Sequence, residues 1–242
     1  EPLFTVESQP CNFRTCPKRR HRREDVVAWP DDPKAREALG KYLDAMSTEC
    51  EVQPTFAADL MDLRGADLRG LDLSEAYLFN TVLVGVNLSG AYLVKATLSG
   101  ADLRQADLTG AKMTKAEADE CRADGAIFRD ADLFAVFFNR ASLVGCDFRR
   151  AAMNSVRLRR ANLTGADLRG AILFDVRFGG DDAPTVLTGA RLFGADVRKA
   201  RGSVVGPVDV GEGNPSLVDG EDMIAWFAAH GASEVTLARS DG

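Results

Sequence analysis

The chain has 242 residues, 45% of them hydrophobic and 27% charged, enough apolar content to bury a sizeable core with an ordinary share of charge. No stretch reaches the roughly 18 apolar residues that a membrane-spanning helix needs, and no basic region followed by an apolar one opens the chain, so neither a span nor a signal peptide is expected. The net charge of −6 is unevenly placed: residues 61–200 carry 19 basic and 18 acidic side chains, whereas residues 203–242 carry 1 basic and 7 acidic. The five cysteines have irregular spacing, which does not suggest a disulfide scaffold and makes a reducing cytoplasm the expected compartment.

Residues 1–30 are expected to form a basic, flexible arm. Lys18-Arg19-Arg20-His21-Arg22-Arg23 could bind nucleic acid or an acidic surface, but Glu24 and Asp25 follow at once, and a solvated arm explains the run equally. Cys11, Cys16, His21 and Cys50 are the right residue types for zinc, yet no pair is spaced C-x2-C, and free thiols are the alternative. No cofactor is expected. Residues 31–60 supply a capping helix and a lead-in. The helix is predicted over 31–48, with Asp31 or Asp32 as its N-cap and Pro33 in its first turn. Ala35, Leu39, Tyr42, Leu43 and Met46 lie on one of its faces.

Residues 61–200 repeat with a period of five, as in Ala66-Asp67-Leu68-Arg69-Gly70, Ala101-Asp102-Leu103-Arg104-Gln105 and Ala161-Asn162-Leu163-Thr164-Gly165. With the Leu position as centre, 24 units run unbroken from Leu63 to Phe178, and three more follow at Leu187, Leu192 and Val197. Of these 27 centres 18 are Leu; two residues earlier 17 are Ala, and two residues later 13 are Gly. A period of five fits neither a helix nor a long strand, so the chain must turn once per unit. The two inward positions are two residues apart, as on a short strand edge, and Gly at the corner suits a turn that needs positive φ.

Two places depart from the pattern. Residues 111–125 keep the frame with centres Met113, Ala118 and Ala123, and Cys121 replaces an inward Ala; distorted coils with an underfilled core are favoured over a looped-out helix. Cys121 and Cys146 are read as small core fillers. Between Phe178 and Leu187 four extra residues break the frame, so residues 179–184 must leave the coil as a loop. Residues 201–242 form a C-terminal strand-helix-strand cap: an apolar strand over Val204–Val210, a helix over Gly220–His230 and a strand over Val235–Leu237.

The A-(D/N)-L-x-x pattern resembles the pentapeptide-repeat family. That resemblance implies an all-β solenoid, a right-handed quadrilateral parallel β-helix with four units per coil. Its 27 units make about seven coils, a rod about 33 Å long at a strand spacing of ~4.8 Å. Within the quinolone-resistance branch, loops help engage the target and a C-terminal helix forms a dimer interface. The resemblance thus offers roles for Asp181 and Asp182 in the loop, and for Met223, Ile224, Trp226 and Phe227 in a homodimer. Tolerated insertion and plain capping are the alternatives.

Catalysis finds no support. Both histidines, His21 and His230, lie outside the coil, and no nucleophile elbow, phosphate loop or dinucleotide fingerprint is present. With four units per coil, residues twenty apart stack. One face then carries Arg129, Arg149, Arg150 and Arg169, and the opposite face Arg140, Arg157, Arg159, Arg160 and Arg177. Val94, Phe134 and Phe174 point outward between them. Stacked like charges need solvent, nearby acids or a partner. The expected function is a non-enzymatic scaffold that binds a protein partner through this basic, aromatic half. The alternative is a DNA-mimicking modulator of DNA gyrase that confers antibiotic resistance, a mechanism that needs an acidic rod. Direct nucleic-acid binding is disfavoured because the arginines are split between opposite faces.

Overall fold

The computed structural model describes residues 21–47 and 54–238. From Ala57 to Arg177 the backbone advances through isolated parallel β-bridges, each joining a residue to the one twenty positions on: Ala57↔Tyr77, Asp62↔Val82, and so forth to Arg157↔Arg177. Four five-residue units therefore make one turn. After the four-residue insertion the offset becomes 24, as in Asn162↔Val186, and the coil continues in register.

The inward pair of each unit builds the core. Every centre and every residue two before it is buried from Leu63 to Val176. The corner residue two after the centre adopts positive φ from Leu60 to Asp175 and again at Gly189, Gly194 and Lys199, whether or not it is Gly: fifteen non-glycine residues, Leu60, Ala135 and Arg150 among them, hold it. Each corner is held by backbone bonds, the residue after it donating to the carbonyl of the centre, as Ala96 to Leu93 and Ala141 to Phe138. In many units the outward residue before the centre adds a second lock. There an Asp or Asn side chain accepts a hydrogen bond from the backbone N–H two residues on, as in Asp107 from Thr109 (2.9 Å), Asn162 from Thr164 (3.0 Å) and Asp147 from Arg149 (3.1 Å). These are Asx turns. The periodicity of these acids has this structural cause.

Residues 111–125 stay in the coil. The bridges Lys112↔Asp132, Glu117↔Phe137 and Arg122↔Ser142 keep the common offset. Small Ala118 is followed one coil later by Phe138, and Phe138 packs with Phe128 and Phe148 in a buried aromatic cluster. Cys121 and Cys146 are both free and buried. Burial pushes the Cys121 thiol up to about 12 and raises that of Cys146 as well.

At the N-terminal end, helix α1 spans Pro33–Ser47. Asp32 accepts from the backbone N–H of Lys34 (2.6 Å) and Ala35 (3.3 Å), so it is the cap, and Pro33 opens the first turn. Asp31 instead donates its backbone N–H to the Arg64 carbonyl. Ala35, Leu39, Tyr42, Leu43 and Met46 join the same buried cluster as Phe56 and Leu63. The flexible arm expected over 1–30 needs correction from His21 onward. The His21 ring accepts from the Asp72 N–H at 3.0 Å, the Ala28 carbonyl accepts from the Asp67 N–H at 2.8 Å, and Arg23 pairs with Asp44 at 2.6 Å. The first coil offers unpaired edge groups, and this segment satisfies them.

At the other end lie strands β1 (Thr185–Val186), β2 (Ala190–Arg191), β3 (Arg201–Val205), β4 (Val208–Asp209) and β5 (Leu217–Val218), helix α2 (Gly220–Ala229) and strand β6 (Glu234–Leu237). They form two three-stranded sheets, β1-β3-β6 and β2-β4-β5. The single strand expected over Val204–Val210 is thus two strands in different sheets, and β5, antiparallel to β4, had no sequence signal.

Candidate partner-binding surface

The basic half of the rod looks different once its acids are in place. Where a unit carries Asp before the centre and Arg after it, the guanidinium folds back on the carboxylate of its own unit: Arg64 on Asp62, Arg69 on Asp67, Arg104 on Asp102, Arg149 on Asp147, Arg169 on Asp167 and Arg198 on Asp196. Arg129 has Ile127 in place of the acid. It reaches to Asp147 in the next coil at 2.6 Å, and Arg150 pairs with Asp130 at 2.7 Å. The four arginines of the first candidate face are therefore each paired within the chain, Arg129 and Arg149 sharing Asp147. Paired surface charges of this kind add little individually.

The ladder leaves a mark on pH dependence. The guanidinium of Arg149 beside it holds the Asp147 carboxyl well below the ordinary range, and the Asp62, Asp67, Asp102 and Asp196 carboxyls are lowered in the same way by Arg64, Arg69, Arg104 and Arg198. Since folding lowers these pKa values, the stability they contribute is complete above about pH 4 and is lost as the pH falls through the folded values. Urea unfolding is expected to show a lower midpoint at about pH 3 than at about pH 7. An unchanged midpoint would mean that the ladder contributes nothing.

The opposite face is built differently. Its column before the centre carries no Asp: it reads Tyr77, Thr97, Glu117, Phe137, Arg157 and Arg177, each bridged to the next. Arg157 lies over the Phe137 ring, its guanidinium carbon 4.6 Å from the centroid. Nearby, Arg140 pairs with Glu120 at 2.7 Å, and Arg159 pairs with Asp182 at 2.9 Å. Arg160 donates to the Asp182 carbonyl, and Asp119 accepts both the backbone and side-chain N–H of Asn139. Among the described residues, Arg157 and Arg177 face no carboxylate in an ion pair, and they occupy consecutive rungs. A cleft of about 370 Å³ opens here. Arg140, Arg157, Arg159 and Arg177 line it together with Asp119, Glu120, Asn139 and the edge of buried Phe178. The available signal was Arg in place of Asp at two positions twenty apart.

The remaining candidate residues fall as follows. Phe134 is exposed, but Phe174 is half-buried with Lys199 and Arg198 over its ring. The insertion does not project as a free loop. Ala183 is buried, the Thr185 hydroxyl donates to the Leu158 carbonyl (2.7 Å), and Asp181 accepts from Ser203 (2.5 Å). In α2, Met223 and Phe227 are buried in the chain's own core, with Phe178 and Phe227 edge-to-face at 6.1 Å; Ile224 and Trp226 are partly buried against it. Any dimer through this helix would have only the latter two of the four to use. Of the zinc candidates, Cys11, Cys16 and Cys50 lie outside the described residues, and His21 hydrogen-bonds as above. Lys18, Arg19 and Arg20 of the basic run also lie outside them. Among the described residues no helix is long and apolar enough to cross a membrane.

The pattern of pentapeptide repeats matches in eight copies, over residues 62–93, 72–110, 91–130, 111–150 and 141–180. No curated protein matches the chain. Similar solved structures include HetL, a pentapeptide repeat protein involved in heterocyst differentiation regulation from the cyanobacterium Nostoc sp. Strain PCC 7120, 28% identical over 66% of this chain and 76% of that one, with a TM-score of 0.34. Full-length QnrB1, a plasmid-mediated fluoroquinolone resistance protein, is 19% identical over 69% of this chain and 80% of its own, with a TM-score of 0.30. A pentapeptide repeat protein from the Arabidopsis thaliana thylakoid lumen is 24% identical over 71% and 85%, with a TM-score of 0.22. The unbroken five-residue column, its pairing at an offset of twenty and the match over residues 62–180 make this chain a member of the pentapeptide-repeat family, whose fold is a right-handed β-helix.

Proposed function

We propose that this chain is a non-enzymatic scaffold whose β-helix presents the Arg157 and Arg177 face to a protein partner, with the segments before residue 57 and after residue 200 serving as caps. One observation carries the reading. Of the arginines in the basic half, Arg129, Arg149, Arg150 and Arg169 are held by the chain's own acids, whereas Arg157 and Arg177 stand on adjacent rungs over a cleft with no ion-paired acid of their own among the described residues. Like charges directly opposite each other on neighbouring strands cost stability, so a chain that keeps such a pair at an open cleft has a use for it. The test is affinity capture from the native host with the natural chain and with Arg157→Gln/Arg177→Gln. A partner held by the first and lost by the second is expected. Identical captures, or none, would remove the reading.

The alternative, DNA mimicry toward gyrase, needs an acidic rod. Residues 61–200 carry 19 basic against 18 acidic side chains, and many of the acids are already paired with arginine. Gyrase supercoiling is expected to be unchanged by the protein, with or without a quinolone. Inhibition of supercoiling, or protection from the drug, would reverse the order of the two readings.

A further inference from the structure

We infer that the Arg157 and Arg177 cleft takes a short acidic peptide segment, with a partner's Asp or Glu carboxylate seated between the two guanidinium groups. The inference rests on the scaffold reading above and names the chemistry of the partner.

Shape comes first. The cleft is local, about 370 Å³, and spans only the four rungs from Glu117 to Arg177. Its rungs place Phe137, Arg157 and Arg177 in successive coils, so the two arginines are neighbours at roughly 4.8 Å in the backbone. Guanidinium is planar and presents paired N–H donors that match a carboxylate bidentately. Arg157 is steadied by the Phe137 ring, which limits the side-chain entropy lost on binding. The edge of Phe178 adds a small apolar wall.

Charge then narrows the occupant. Four arginines and two acids line the cleft, and Glu120 is already paired with Arg140. With Asp182 bound to Arg159, the surplus is one positive charge, suited to one carboxylate. A nucleic-acid backbone needs a continuous cationic track. Here Asp119 and Glu120 flank one end of the cleft, and Asp182, bound to Arg159, stands beside the other. Those acids would repel a phosphate chain running along the face but leave room for a segment that drops in a carboxylate.

The experiment uses the full chain and a fluorescently labelled hexaglutamate peptide, followed by anisotropy. Arg157→Gln/Arg177→Gln is expected to weaken binding about tenfold or more. The control is Arg150→Gln, which removes one exposed positive charge already paired with Asp130 on another face, and it is expected to change binding by about twofold at most. Arg157→Lys/Arg177→Lys keeps the charge and loses the fork, and is expected to lose part of the affinity even where the Gln pair folds poorly. No binding by the natural chain, or equal losses in the Gln pair and in the Arg150 control, overturns the inference. So does inorganic phosphate that displaces the peptide at equal concentration, or a DNA duplex that binds more tightly and weakens steeply between about 50 and 200 mM salt. Should hexaglutamate fail while capture from the host still depends on Arg157 and Arg177, the acidic-peptide inference falls and the scaffold reading stands. Should both fail, the scaffold reading falls too.

Discussion

Phe128→Ala is expected to cost about 3–5 kcal/mol, the largest loss from any single side-chain truncation in the coil. Phe128 is fully buried, stacked on Phe148 at 4.9 Å and edge-on to Phe138 at 5.9 Å. The two preceding units offer only Ala116, Ala118, Cys121 and Ala123 at their inward positions, so those neighbours are too small to fill the space. The rigid bridge ladder on every side prevents collapse, which places the change at the costly end of cavity formation. Urea unfolding followed by circular dichroism measures it. A loss below about 1 kcal/mol would show that the two remaining rings repack into the gap.

Gly202→Ala is expected to cost about 3 kcal/mol, and to act on the C-terminal end instead of the coil. Gly202 sits in β3 at φ 110, a conformation that side-chain-bearing residues rarely adopt. A Cβ there would stand 2.5 Å from the Gly179 carbonyl oxygen and 2.7 Å from that of Phe178. Both obstacles are backbone, so no side chain can step aside. Relief requires breaking the Gly179↔Ser203 bridge, which loosens the insertion and the β3 and β6 pairing that follows. Hydrogen exchange should rise in residues 201–205 and 234–237 and stay unchanged in the coil around Phe128. Exchange that rises uniformly would mean that the two ends unfold as one unit.

The rod itself was legible because its cause is local. Each unit repeats the same inward pair, so the column of Leu and Ala states the core directly, and even Met113, Ala118 and Ala123 kept the frame for the same reason. The corner was half legible. Gly suggested positive φ, yet Arg150 and Arg140 adopt it too, since the backbone ladder imposes the corner on whatever residue arrives there, with an Asx turn added where Asp or Asn precedes the centre. The candidate surface was legible only as two faces rich in arginine. Nothing in the linear order distinguished Arg149, folded back onto Asp147, from Arg157, standing over Phe137.

By itself the sequence determined the β-helix from Leu63 to Val197, its break at residues 179–184 and the helices at either end, because period and burial are properties of neighbours along the chain. Only the tertiary structure decided which charges are already used. Pairing across coils joins residues eighteen, twenty or twenty-three apart, as in Arg129 with Asp147, Arg150 with Asp130 and Arg159 with Asp182. The same long-range packing turned Met223 and Phe227 inward and tied His21 to the first coil. Whether a charged or apolar side chain is free for a partner depends on what the fold brings beside it; of the nine candidate arginines, Arg157, Arg160 and Arg177 have no ion pair among the described residues.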